Sequence, residues 1–492
     1  MKRWRLIPWI LAAVIVAGCV PTRYSWSPDG KWMTVITPDG LRLADAAGNL
    51  LPQTIPGVSV ATWFPDSKRL LVSREIKVAS WAEMTKYLTT QEIESITRAA
   101  EHTADDIMKY DWTAQGSNDW KNFENWAIAR DQEAGLDTKA LSGDLDVAVG
   151  LYVRDHANAA LRQKLPAERW QELQEMTESV NCIEVHAVDS LDPTSSTLVT
   201  ILRKGVHDLR VSPTGGAVLV TTESNDSNEK HGSSLWYFVL GPDGGNGVLS
   251  DRAAWYADWS PDGRDVVYIR SAQATVEDAG SLGSLSRQRV IGDDGKFIKN
   301  PSGPEDLAGV VYSELSRVRC LKDGRIVFAS VDVTLPSAAK DMPQQPELFC
   351  LTPAQTPMVS RLMPEQSSEQ IGDVAQFFEV SPDGQNVSIP DKTGTVDVVD
   401  LRSGEVTAVQ DKPVPVKGPN GDHTPTLLSI PQWRSDDELT FVAPGANSHP
   451  SVVLWSLSKN AGKALSTTWP VGITDADSST TQPTTSLTPA SK

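Results

Sequence analysis

Side chains that could do chemistry are scattered along the 492 residues. The seven histidines (His102, His156, His186, His207, His231, His423 and His449) show no metal-ligand spacing. A zinc hydrolase would carry His-Glu-x-x-His on one helix face. A serine hydrolase would carry a Gly-x-Ser-x-Gly elbow, and a nucleotide enzyme a glycine loop that cradles phosphate. The sequence contains none of these. Carboxylates are too numerous, 63 Asp and Glu, for any pair to stand out as acid and base. Glu223–Ser234, with Asn225, Asp226, Asn228 and Glu229, invites a calcium reading, but its spacing fits no EF-hand loop and a solvated loop is expected. Cys182, Cys320 and Cys350 also lack metal spacing, and no Cys320–Cys350 bridge is expected, because a third strand should separate them. No catalytic residue, cofactor site or metal ligand is therefore assigned. A net charge of −18 argues against nucleic acid and against a basic grip on anionic lipid.

The fourth cysteine is a different case. Met1–Arg5 is basic, and Leu6–Val16 is an apolar run of eleven residues, interrupted by Pro8. A membrane-spanning helix needs about 20 residues, so this stretch fits a secretory signal. It ends on Val16-Ala17-Gly18-Cys19, which resembles a bacterial lipobox. The resemblance implies that residues 1–18 are removed and that Cys19 takes lipid as the mature N-terminal residue. Val20 follows, not the Asp that keeps many such proteins at the inner membrane, which points to the periplasmic side of the outer membrane. The alternative is a soluble secreted protein with an incidental Cys19.

A recurring turn organises the rest of the chain. Its clearest copy is Trp259-Ser260-Pro261-Asp262-Gly263, followed by the strand-like Val266-Val267-Tyr268-Ile269. Pro presets φ for a type I turn, Asp suits the next position, and Gly accepts the positive φ that closes a hairpin. Other copies begin at Trp26, Trp63, Val211, Cys320, Val380 and Trp433, the Cys320 and Trp433 copies being degenerate. Successive steps are 37, 148, 48, 61, 60 and 53 residues. A four-stranded blade repeats about every 40–50 residues, so the long step must hold an insertion. The aromatic-Ser-Pro-Asp-Gly turn with its β-branched strand resembles the repeat of TolB-type, WD-repeat-like β-propellers, over roughly residues 23–470 apart from the insertion. The resemblance implies an all-β fold: a seven-bladed β-propeller with a helical insertion in blade two. Six or eight blades are the alternatives, because two copies are degenerate. The motif Asp and Trp residues read as builders of blades, several of the 16 tryptophans packing between neighbours.

Residues 19–77 hold blade one and the first half of blade two, and 180–472 the rest of the propeller. Between them, 78–179 reads as three to five helices. Thr89-Thr90-Gln91-Glu92 offers a capping box, Leu165-Pro166-Ala167-Glu168 opens a second helix, and further helices are expected around 120–131 and 145–161. Trp81, Trp112, Trp120, Trp126 and Trp170 fall here, either as the core of this segment or as an exposed patch for a partner or glycan. Longer loops are expected at Ser271–Ser286 and Val333–Glu347, and a disordered Ser/Thr/Pro tail at 473–492.

The resemblance constrains fold more than function, because propellers host binding and catalysis alike. The expected function is a membrane-anchored lipoprotein of the cell envelope, a non-catalytic scaffold for an envelope protein partner. The alternatives are a carbohydrate-active, lyase-like enzyme, whose distant His and acidic residues would converge in the central channel, and a glycan-binding lipoprotein.

Overall fold

The structure, a computed structural model, describes residues 23–465 apart from 38, 89, 115–118, 134–146, 179, 190–191, 193–195, 203–204, 224–232, 241–244, 277–279, 300, 313–315, 332–345, 354–357, 363–376, 391–395, 411–415, 419–420, 424–429 and 445–449. The signal, Cys19 and the tail lie outside these residues, as do Thr89 and most of the loops expected after Glu223 and Val333. The chain divides into two compact units. One comprises Met1–Val72, Ala187–Thr197 and Val206–Lys492, the other Ser73–His186 and Leu198–Gly205. No helix among the described residues is long and apolar enough to cross a membrane.

The first unit is a β-propeller built from antiparallel sheets. β1 (Tyr24–Trp26), β2 (Trp32–Thr37), β3 (Gly40–Asp45) and β4 (Leu50–Ile55) pair in chain order. The same order holds for β5 (Val58–Trp63), β6 (Arg69–Val78), β7 (Val180–Asp189) and β8 (Ser196–Leu202), of which β6, β7 and β8 run on into the second unit. β9 (Val206–Val211), β10 (Ala217–Glu223), β11 (Ser233–Val239), β12 (Asn246–Ala253), β13 (Asp258–Trp259), β14 (Asp265–Val276), β15 (Gly280–Arg289) and β16 (Glu305–Tyr312) share one sheet. Two further four-stranded sheets follow. They are β17 (Val318–Cys320), β18 (Ile326–Val331), β19 (Pro346–Thr352) and β20 (Met358–Arg361), then β21 (Glu379–Val380), β22 (Asn386–Pro390), β23 (Val396–Asp400) and β24 (Val406–Gln410). After the small hairpin β25 (Val416–Gly418) and β26 (Gly421–His423) comes the last sheet, β27 (Gln432–Trp433), β28 (Glu438–Pro444), β29 (Pro450–Ser456) and β30 (Ala461–Ala464).

This differs from the seven separate blades expected from the repeats. Five four-stranded sheets stand alone, and β9–β16 form a single sheet of eight. The join is one residue pair, Ala253↔Arg270. Only four residues separate β12 from β13, so the end of β12 still lies beside the long β14 when the chain turns inward. The stretch 271–286, expected as a loop, is instead the β14–β15 hairpin, whose small polar residues hide the strand pattern.

The repeated turn works as its chemistry requires. In the Trp259 copy, Ser260 Oγ donates to Asp262 Oδ1 (2.6 Å) and accepts from Asp265 N (2.9 Å), while Arg264 N donates to Asp262 Oδ1 (3.1 Å). Ser27 with Asp29 and Ser381 with Asp383 repeat the arrangement at 2.7 and 2.6 Å. The middle strands are buried on both faces because each blade lies between two others. Thus Val266–Ile269 and Ala217–Val220 form continuous apolar runs, not alternating ones.

The turns also tie blades together. Three of the motif tryptophans reach the neighbouring sheet: Trp26 Nε1 donates to Thr440 Oγ1 on β28 (3.1 Å), Trp63 Nε1 to Ser25 O on β1 (3.2 Å), and Trp433 Nε1 to Glu379 O on β21 (3.1 Å). Among the described residues, no strand is exchanged between the first and last sheets. β1–β4 and β27–β30 are complete sheets, closed against each other by Trp26, by Tyr24 Oη donating to Thr440 O, and by Arg434 Nε donating to Gly30 O (2.9 Å). Gly30 has φ +67° and a Cβ there would stand 3.0 Å from Arg434 O, whereas Gly324, at φ +88°, has nothing within 4 Å. Gly30→Ala is expected to cost about 2 kcal/mol or more, and Gly324→Ala about 1 kcal/mol, the backbone term alone. Urea unfolding checks this. Equal costs would show that closure places no demand on Gly30.

The second unit is helical between β6 and β7. It contains α1 (Trp81–Met84), α2 (Thr90–Lys109), α3 (Trp120–Glu133), α4 (Val147–His156), α5 (Ala159–Lys164) and α6 (Ala167–Glu178). Short helices escape a pattern search, and α1 and α5 are each held by a local cap. Ser80 accepts from Glu83 N, and Asn158 from Leu161 N. The aromatic residues make the core here. Trp112, Phe123 and Tyr110 are buried with Leu173 and Ile107, Trp120, Trp126 and Trp170 pack around them, and Trp81 is buried against Met84 and Leu151.

Candidate functional site at the propeller hub

Side chains alternate along a strand, so if the first motif residue packs between blades, the residue before it faces the axis. Those residues are Ser25, Thr62, Arg210, Asp258, Arg319, Glu379 and Gln432, one from each repeat and all polar. The structure brings them together. Ser25, Thr62, Arg210, Glu379 and Gln432 line a cavity of about 460 Å³, with Asp208, His207, Trp255 and Tyr256 beside them.

Charge at this hub is dense and mostly paired. Glu379 accepts from Arg319 at both oxygens (2.7 and 2.9 Å) and from Arg317 Nη1 (2.7 Å), fastening β17 to β21. Burial alone would raise the Glu379 carboxyl, but Arg319, Arg317 and Arg210 overcome it and hold the group at about 2. Burial lowers Arg319, yet Glu379, Asp258 and Asp208 reverse that and leave it raised. Arg317 is 1% exposed, is lowered by burial and by Arg319, and lies 4.2 Å over the Tyr256 ring. Its Nε and Nη2 have no partner among the described residues. Asp258 accepts from Cys320 N (2.9 Å) and Trp259 N (3.0 Å); burial raises its carboxyl against the pull of Arg319 and Arg210. Arg210 gives Nε to Asp208 (3.1 Å).

The four histidines whose side chains are described do not assemble. His207 stacks on Trp255 at 4.0 Å, His156 on Tyr152, His186 meets Glu184 at 3.0 Å, and His102 lies 3.5 Å from Asp106. His231, His449 and the His423 side chain lie outside the described residues. Among the described residues, no group of three His, Cys, Asp or Glu is placed to hold a metal. His207, Asp208 and Glu379 do share the cavity wall, but Asp208 and Glu379 are already committed to arginines. Cys320 and Cys350 are free thiols on β17 and β19, with β18 between them. Cys19, the one assigned site residue, lies outside the described residues. The hub residues were missed because no two are adjacent in sequence. The usable signal was their constant place, one and three residues before each turn.

No family model and no curated sequence matches the chain. Solved structures similar to it include TolB from Acinetobacter baumannii, at 13% identity over 57% of this chain and 58% of that one, with a TM-score of 0.34. A putative TolB from Agrobacterium tumefaciens is 16% identical over 55% of this chain and 84% of that one, with a TM-score of 0.35. A puromycin hydrolase is 15% identical, the match spanning 60% of this chain and 44% of the hydrolase, with a TM-score of 0.38. The chain thus spans less than two thirds of that first TolB and of the hydrolase, and these likenesses concern the fold alone.

Proposed function

We propose that this chain is a lipid-anchored scaffold of the bacterial envelope, tethered through Cys19 and offering a TolB-like propeller to an envelope protein partner, without catalysis of its own. In this reading the eight-stranded sheet is two blades joined at one pair. The inner strands β1, β5, β9, β13, β17, β21 and β27 then belong to seven blades, and 78–179 is a helical insertion in blade two. The observation that supports a non-catalytic role is how the hub charges are used. Glu379 and Asp258 hold neighbouring blades together through Arg317, Arg319 and the Cys320 amide, and Asp208 is paired with Arg210. A general acid or base needs a carboxylate free to exchange its proton with substrate.

Fractionation tests the anchor: Cys19→Ser should move the protein from membranes to the soluble fraction, and unchanged dependence on detergent would count against it. Pulldown from detergent-solubilised membranes tests the scaffold. The intact chain should retain a stoichiometric partner that a variant lacking residues 80–178 loses. Equal capture by both would remove the helical segment from the docking surface, and no partner for either would sink the scaffold reading.

A further inference from the structure

The hub cavity has a feature that blade closure does not use. Arg210 lines it and is about one quarter exposed, and its Nε is taken by Asp208. Neither Nη has a hydrogen-bond partner among the described residues, so a planar pair of donors faces an open space of about 460 Å³. Arg317, fully buried against Tyr256 and not part of the cavity wall, also leaves Nε and Nη2 without partners among the described residues. Three guanidiniums therefore gather at the centre of a chain whose net charge is −18. Both oxygens of Glu379 accept from Arg317 and Arg319, and among the described residues that carboxylate makes no hydrogen bond to Arg210. The wall also carries aromatic side chains: Trp255, half-buried and stacked on His207, with Tyr256, Trp26, Trp63 and Trp433.

We infer that the hub cavity is a binding site for a small organic carboxylate, its head group held by the two Nη groups of Arg210 and its flat body set against Trp255 and Tyr256. A bidentate guanidinium–carboxylate pair in a partly dry site is among the stronger polar contacts a protein makes. A cavity of this size is also within the range that holds small ligands. The site is independent of the scaffold role and of the lipid anchor.

Isothermal titration of the full chain with ring carboxylates (benzoate, phenylacetate and indole-3-acetate) tests it. Their amides serve as uncharged counterparts and inorganic phosphate as a bare anion. At least one carboxylate should saturate one site per chain and bind about tenfold or more tighter than its amide. Arg210→Gln should weaken it by a similar factor while the variant remains folded, and Arg210→Lys should weaken it less. Trp255→Ala should reduce the preference for the ring carboxylate over phosphate. Equal binding of acid and amide, phosphate binding as tightly as the carboxylates, indifference to Arg210→Gln in a folded variant, or no binding at all would each overturn the assignment.

Discussion

Glu379→Gln should destabilise the propeller by about 3–5 kcal/mol, the range for removing one partner of a buried ion pair. The reason is what the substitution leaves behind. Arg317 is 1% exposed and Arg319 5%, and both direct donors at Glu379. Glutamine keeps the shape but not the charge, so two buried guanidiniums lose the carboxylate that binds them both, with only Asp258 and Asp208 left as negative charge acting on Arg319. Replacing all three together, as Arg317→Met, Arg319→Met and Glu379→Leu, should cost less, because the two guanidiniums leave together with the carboxylate that binds them. Urea unfolding of both variants, with hydrogen exchange at β17 and β21, decides the matter. A single substitution no worse than the triple would mean that the cluster does not lock these blades.

Glu379 also sets the response to acid. Its folded value of about 2 lies below the ordinary 4.5, so its stabilisation is complete above about pH 4.5 and drains away as pH falls toward 2. The shift corresponds to roughly 3 kcal/mol, lost across that window by the parent and not by Glu379→Gln. Asp258 acts with the opposite sign. Its raised carboxyl takes up a proton more readily in the folded state, which offsets part of the loss. The two stability curves should therefore converge as pH falls, and parallel curves would contradict the assignment.

The contrast between what was and was not legible follows from the range of the interactions. The turn Ser260-Pro261-Asp262-Gly263 can be read because every contact that shapes it lies within five residues. Even the degenerate Cys320 copy keeps its closing Gly324 at φ +88°. The clasp between Arg319 and Glu379 spans 60 residues, and that between Asp258 and Cys320 spans 62, so neither leaves a local pattern. What the chain does carry locally is phase. Arg210, Asp258, Arg319 and Glu379 each stand one residue before a turn, and a repeat alignment that kept this column would have assembled the hub. The merger of β9–β16 into one sheet had no such marker, since it depends on a single pair set by a short connection. Ser67, which stands in the Trp63 copy where others have glycine, shows the limit of motif matching. It adopts the φ of +57° that glycine takes elsewhere, and its hydroxyl accepts from Asp29 N of the neighbouring turn.

The helical unit should be as sensitive at one residue as the propeller is at Glu379. Trp112 is 5% exposed, stacks on Phe123 with centroids 5.3 Å apart, and meets Tyr110 and Trp120 edge-on at 4.8 and 5.6 Å. Its Nε1 donates to Ile107 O (3.2 Å) just beyond the last turn of α2 that carries it. Trp112→Ala removes the ring that joins α2 to α3 and strands that carbonyl, at an expected cost of about 3–5 kcal/mol. Trp170 lies at the margin of the same cluster, half-exposed and covered on one face by Arg162 at 5.3 Å. Trp170→Ala should cost much less, about 1–2 kcal/mol, from the lost area and cation–π contact. Helical ellipticity and limited proteolysis within residues 78–179 separate the two. Loss of both for Trp112→Ala alone is the result a core requires. An exposed aromatic patch would instead tolerate Trp112→Ala and lose only binding, so a folded variant with unchanged protease resistance would reverse the assignment of these tryptophans.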